Sequence, residues 1–107
     1  MSAKEILEQK IPDKIRAHPE VGQAIGGVVV FDLSGADGGQ WTLDLSKNPV
    51  TVATGAVADA KVTLSMAATD FVAMIGGELN AQKAFLTGKL KVKGDMGAAL
   101  KLGKLLS

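Results

Sequence analysis

An α+β domain built from five strands and several short helices is what this sequence predicts, and three observations carry that expectation. Apolar and polar residues alternate over residues 28–46, 62–66 and 89–94, the period of half-buried strands. Before Ile25 and after Thr69 the apolar residues recur instead at three-to-four spacing, as helices require. A chain of 107 residues that is 47% hydrophobic can fill one core but is too short for two, so residues 1–107 are expected to form a single domain.

Taken in chain order, Ser2 followed three residues later by Glu5 forms a capping box, ahead of Ile6, Leu7, Ile11 and Ile15 at near-helical spacing. Pro12 and Pro19 must break, kink or restart that helix, which predicts two or three helical pieces up to Ile25. In the run VVVFDLSG, Val29, Phe31 and Leu33 share one side and Asp32 the other; after the turn SGADGG, Trp41, Leu43 and Leu45 alternate with Thr42 and Asp44. Residues 28–46 therefore read as a β-hairpin. Asn48 and Pro49 predict a further turn, residues 50–57 a weaker third strand, and Val62, Leu64 and Met66 an inward-facing fourth, with Thr63 and Ser65 outward.

Thr69 is expected to cap a helix carrying Phe71, Met74 and Ile75 that weakens at Gly76 and Gly77. Asn80 is expected to cap a second, AQKAFL, ended by Gly88. Lys89, Lys91 and Lys93 alternate with Leu90 and Val92 in a fifth strand whose lysines also discourage edge-to-edge pairing. Asp95 then caps a final helix with Met96, Ala99, Leu100, Leu102, Leu105 and Leu106. Its small residues, Gly97, Ala98, Ala99 and Gly103, either let it lie close against the sheet or leave room for an apolar guest. Close packing is the ordinary outcome in a protein interior.

Composition excludes several kinds of chemistry. Without cysteine there is no disulfide or thiolate metal site, and His18, the sole histidine, has no clustered ligands around it in sequence. No G-x-G-x-x-G precedes a helix, and neither Gly88-Lys89 nor Gly103-Lys104 completes a P-loop. The acidic residues are dispersed, so no close carboxylate pair suggests acid–base work. The expectation is a protein with no catalytic residue, no metal and no cofactor. Net charge is +1, but residues 1–82 carry six Lys/Arg against ten Asp/Glu, and residues 83–107 six Lys against one Asp. This basic quarter suits a lipid carboxylate, a phosphate or an anionic membrane, or is simply solvated surface. The lysines alternate with aliphatic residues rather than aromatic platforms, so nucleic acid is not expected as a partner. Charges fill the first ten residues where a signal peptide needs an apolar stretch, which predicts a soluble, unsecreted chain.

The run VTLSMAATDFVAMIGGELNAQKAFLTGKLKVKGDMGAALKLGKL, residues 62–104, resembles the sterol carrier protein type-two domain, or sterol-binding domain. The resemblance rests on Asp70-Phe71, Gly77, Asn80-x-Gln82-x-Ala84-Phe85, Gly88-Lys89-Leu90-Lys91 and Gly94-Asp95-Met96-Gly97, and IGGVVVF at 25–31 and WTLDL at 41–45 extend it to about residues 20–106.

That resemblance implies a five-stranded, mostly antiparallel sheet with helices packed on one face, enclosing an apolar tunnel. It implies non-catalytic binding and transfer of a sterol, fatty acid or fatty acyl-CoA. Carried over by position, Phe71, Met74, Ile75, Phe85, Met96 and Leu100 become the helical lining, with Phe31 and Trp41 beneath on the sheet. Gln82 either bonds the guest's polar end or serves the helix surface. The lysines would assist transient docking to an anionic membrane. The chain ends Leu105-Leu106-Ser107 rather than in a Ser-Lys-Leu-like import signal, so a peroxisomal address is not expected. A cytoplasmic location is expected instead, with a monomer favoured over an oligomer. The competing expectation is an interaction module whose apolar C-terminal helix docks to a partner enzyme or a second copy.

Overall fold

The computed structural model describes residues 2–47 and 50–106, with the side chains of residues 104–106 excepted. The turn expected at Asn48 and Pro49, and the apolar side chains expected at Leu105 and Leu106, lie outside the described residues.

The N-terminal segment runs as α1 (Ala3–Glu5), a π-helical turn (Ile6–Lys10), α2 (Ile11–Ala17) and α3 (Pro19–Ile25). Ser2 caps α1 as its spacing predicts, its hydroxyl accepting from the Glu5 amide at 3.2 Å. Pro12 does not break the helix. The turn before it widens, with the Ile11 amide donating to the Ile6 carbonyl five residues back, so the helix reaches the proline in a shifted register. Pro19 begins a separate helix, where its missing N–H costs nothing.

Five strands form one sheet: β1 (Val28–Ser34), β2 (Gly39–Asp44), β3 (Thr51–Thr54), β4 (Val62–Ala67) and β5 (Lys91–Gly94), in the order β3-β2-β1-β4-β5. Three pairings are antiparallel, and only β1 with β4 is parallel. Register aligns Thr54, Trp41, Phe31, Leu64 and Val92 in one row and Val52, Leu43, Val29 and Val62 in the next. Apart from Thr54, which is exposed on the edge strand β3, these rows face the helices and pack into the core with Ile6, Leu7, Ile11 and Ile25. The opposite face carries Asp32, Thr42, Thr63, Ser65 and the exposed Lys91 and Lys93, with Val30 alone buried among them.

Beyond β4 come α4 (Ala68–Ile75), α5 (Ala81–Leu86) and, after β5, α6 (Met96–Leu106). Thr69 does not cap α4. Ala68 is buried and already helical, so the cap position falls on Ala67 and Thr69 lies exposed in the first turn. Asn80 does cap α5, accepting from the amides of Gln82 at 2.8 Å and Lys83 at 3.2 Å. The fifth strand is shorter than the alternation suggests. The amides of Lys89 and Leu90 are both drawn to the Ala84 carbonyl to close α5, and pairing starts only at Lys91.

Candidate functional site

Turn chemistry places the last three helices. α4 and α5 each end in a Schellman motif on a left-handed glycine: at Gly77 the Glu78 amide reaches back to the Ala73 carbonyl at 2.9 Å, and at Gly88 the Lys89 amide reaches Ala84 at 2.9 Å. Two such stops bound the short α5, which packs against α6. β5 then returns to β4, and its last residue, Gly94, lies hard against the Lys61 carbonyl with φ of 110°, where a side chain has no room. The Asp95 amide donates to that same carbonyl, and its carboxylate caps α6 by accepting from the Ala98 amide at 3.1 Å. α6 therefore starts at a fixed point beside the β4–β5 edge.

Between α5, α6 and that edge is a cavity of about 290 Å³. Its floor is Leu64 and Val92, neighbours in one sheet row, with Leu90 beside them and Met74 from α4. One wall is Asn80, Ala81, Gln82 and Phe85; the other is Met96, Ala99, Leu100 and Gly103. Among these twelve residues there is no charge, imidazole or hydroxyl, and the polar side chains are the two amides of Asn80 and Gln82. Asn80 Oδ1 is occupied by its cap bonds. Two further hollows differ in kind: one of about 270 Å³ lies on the polar sheet face by Asp32, Ser65, Lys89 and Lys91, and one of about 410 Å³ lies between the buried Ile15, Leu45 and Val50 and the exposed Arg16, Gln23, Ser46 and Lys47. Both mix charged side chains with apolar ones, whereas the lining between α5 and α6 carries no charge.

The cavity brings together five of the residues expected to meet a guest: Met74, Gln82, Phe85, Met96 and Leu100. It does not include Phe31, Trp41, Phe71 or Ile75, which are buried in the core. Phe31 and Trp41 share a sheet row with Leu64 and Val92, but Phe71 closes over Phe31 edge to face, and the space opens only past β1, over β4 and β5. The small residues of α6 divide the same way. Ala98 is buried in close packing, whereas Ala99 and Gly103 border the cavity. Leu64, Leu90 and Val92 were legible as inward-facing, but not as the residues under the opening.

The sequence profile of the SCP-2 sterol transfer family matches residues 3–107. The chain belongs to that family. It is 45% identical over 89 residues to "Hydroxysteroid dehydrogenase-like protein 2" of Homo sapiens, a match covering 82% of this chain and 21% of that protein. The family member described here thus spans about a fifth of the length of the curated relatives it matches. Among solved structures, the apo form of Sterol Carrier Protein 2 from Yarrowia lipolytica superposes with a TM-score of 0.71 at 31% identity, over 97% of this chain and 83% of that one. The solution structure of palmitated SCP2L2 from Aedes aegypti gives 0.79 at 29% identity, over 99% and 95%. The α+β architecture with one mixed five-stranded sheet is the architecture of these sterol carrier domains.

Proposed function

We propose that this chain is a non-catalytic lipid carrier that takes the aliphatic part of a fatty acid, fatty acyl group or sterol into the cavity between α5, α6 and the β4–β5 edge. The observation that carries the reading is the lining: ten of twelve residues are apolar or glycine, and the remaining two are neutral amides. Such a wall has nothing with which to attack, protonate or ionise a guest, and every reason to exclude water from a chain. Each methylene withdrawn from water contributes about 0.8 kcal/mol. The Gln82 amide is the group best placed to bond a neutral polar end. A carboxylate finds no cation in the lining, so in this reading it stays at the mouth. The similarity to a palmitated sterol carrier structure supports a fatty acyl guest.

At about 290 Å³ the cavity lies at the small end of ligand sites, which run from roughly 300 to 1,000 Å³. A long chain enters by spreading its walls, and Met74, Phe85 and Met96 are the side chains that yield; the two methionines re-pack without strong rotamer cost.

The test is titration of delipidated protein with a fluorescent fatty acid and a fluorescent sterol, following energy transfer from Trp41. It is the sole tryptophan, there is no tyrosine, and its strand lies two sheet spacings, about 10 Å, from Leu64 in the cavity floor. Saturable transfer at one probe per chain, displaced by unlabelled lipid, is expected. Folded protein that shows no saturable transfer with either probe overturns the reading.

A further inference from the structure

The sheet has two edge strands, β3 and β5, and they are built differently. An edge leaves every second residue's N–H and C=O without a ladder partner and invites another strand, which proteins ordinarily resist with charged side chains there. β5 carries Lys91 and Lys93, both exposed. β3 is Thr51-Val52-Ala53-Thr54, and residues 48–58 around it contain no charged residue in a chain that is 21% charged. Thr51, Ala53 and Thr54 are exposed and Val52 is half-buried, so the strand is accessible along its length.

Which backbone groups point outward follows from the ladder. Thr42 lies opposite Ala53 and Asp44 opposite Thr51, and in the same register the Gly55 amide donates to the Gln40 carbonyl at 2.7 Å. Hydrogen-bonded pairs alternate with non-bonded ones along an antiparallel ladder. Thr51, Ala53 and Gly55 therefore turn their backbone groups toward β2, and Val52 and Thr54 turn theirs outward. No other strand or loop among the described residues meets them. Gly55, with φ of 97°, then ends the strand.

Such an edge is complementary to itself. Two antiparallel copies related by a two-fold axis at Ala53 place Val52 against Thr54 of the second copy, each exchanging N–H and C=O with the other. Ala53 then faces Ala53 of the second copy in the non-bonded pair at the axis, where side chains approach most closely and a methyl group fits. Val52 and Thr54 are β-branched, and such residues favour cross-strand contact. On β5 the outward residues are Val92 and Gly94, because the Asp95 amide bonds Lys61, and the same symmetry sets Lys93 against Lys93 of the second copy. Like charges directly opposite one another oppose pairing. Charge thus directs self-association to β3 and away from β5. A foreign strand would need a matching uncharged sequence, which a second copy supplies by symmetry.

We propose that two copies of the chain pair through β3, making one sheet continuous through both. β3 and β5 stand at opposite ends of the strand order, so the cavities over β4 and β5 lie at the outer ends of that sheet and stay open. The pairing does not rest on the lipid-carrier reading. Four residues a side is far below the roughly 20–30 of a standard interface, so the dimer is weak and reversible.

The experiment is sedimentation velocity on the full chain from micromolar to millimolar concentration, with amide exchange followed by NMR on the same samples. A monomer–dimer equilibrium is expected. Protection at the Val52 and Thr54 amides should rise with concentration, while that at Ala53, already turned toward β2, should not. Ala53→Lys and Ala53→Asp each place like charges at the axis, and each chain should stay monomeric. Their melting temperatures at low concentration should remain close to wild type, because Ala53 is exposed. An equimolar mixture of the two should dimerise again, since the axis then joins opposite charges. Amide exchange in the wild-type chain decides the matter even where a variant fails to fold. A chain monomeric to millimolar concentration overturns the proposal. So does a dimer that survives Ala53→Lys, or one whose newly protected amides fall on α5 and α6, which assigns the contact to the helices.

Discussion

Phe31 and Phe71 meet edge to face, ring centroids 5.8 Å apart and planes at 64°, with no solvent exposure on either side chain. The contact joins the central strand of the sheet to α4, so both rings lie in the packed core and outside the cavity lining. Phe71→Ala is expected to cost about 3–5 kcal/mol, the usual consequence of deleting a buried phenyl ring. Phe85, expected in the same role, is half exposed at the cavity wall. Phe85→Ala should cost less than about 1 kcal/mol yet weaken fatty-acid binding. Urea unfolding and lipid titration of the two variants separate core from wall.

Filling the cavity without disturbing the core is the complementary case. Among the described residues a Cβ built on Gly103 meets only Ala81, at 3.8 Å, which is ordinary contact. Gly103→Ala is expected to be neutral or to stabilise α6 by up to about 1 kcal/mol through helix propensity. Ala99→Phe should occupy the space a guest needs, lowering lipid affinity at least tenfold with the melting temperature nearly unchanged. A large fall in melting temperature would show that the space is not there.

These contrasts mark what could be read in advance. The strands were legible because alternation such as Val62, Leu64, Met66 has one structural meaning when one face is buried. The caps at Ser2, Asn80 and Asp95 were legible because a side-chain oxygen next to free helix amides acts locally. The π-helical turn before Pro12 was not, since widening a helix to accept a proline is a choice made by the packing of Ile6, Leu7 and Ile11. Nor could periodicity separate lining from core. Leu64 and Phe31 are both inward-facing residues of one sheet row, and only the placement of α4 over one and of open space over the other distinguishes them.

Gly94 shows a local requirement of the same edge. With φ of 110° and the Lys61 carbonyl oxygen where a β-carbon would have to stand, it has neither the conformation nor the space for a side chain. Gly94→Ala is expected to destabilise by on the order of 3 kcal/mol. Because the Asp95 amide bonds the same carbonyl, α6 should be displaced with it. Hydrogen exchange would show lost protection first at Asp95 and Ala98, the amides held at that junction.

A pH effect is expected at the end of β2. The Ser46 hydroxyl bonding Asp44 Oδ1 holds the Asp44 carboxyl below its ordinary value, opposed by partial burial and assisted by the Ser46 amide at 3.0 Å and by Lys47. A carboxyl depressed in the folded state contributes stability above its ordinary pKa, and that contribution is lost as pH falls through the lower folded value. Ser46→Ala should move the Asp44 titration, followed by carboxyl NMR, upward toward the ordinary aspartate value. It should also flatten the small acid-side loss of stability. An unchanged Asp44 titration in that variant would remove the hydroxyl as the cause.

Asn80 couples the fold to the site, since its Oδ1 caps α5 through Gln82 and Lys83 while its side chain borders the cavity. Asn80→Ala removes the cap and should cost about 1 kcal/mol. It also loosens the wall that carries Gln82 and Phe85, so affinity for both lipid probes should fall together. Asn80→Asp keeps the acceptor, favours the helix N-terminus and restores stability, but introduces a negative charge into a lining that has none. A fatty acid, whose carboxylate stays at the mouth in the carrier reading, should then be disfavoured more than an uncharged sterol. Stability rescued with fatty-acid affinity still low and sterol affinity largely recovered is the expected pattern from thermal unfolding and the two titrations. Recovery of both affinities alike would place the fatty-acid headgroup away from α5 and require the guest to lie in the opposite orientation.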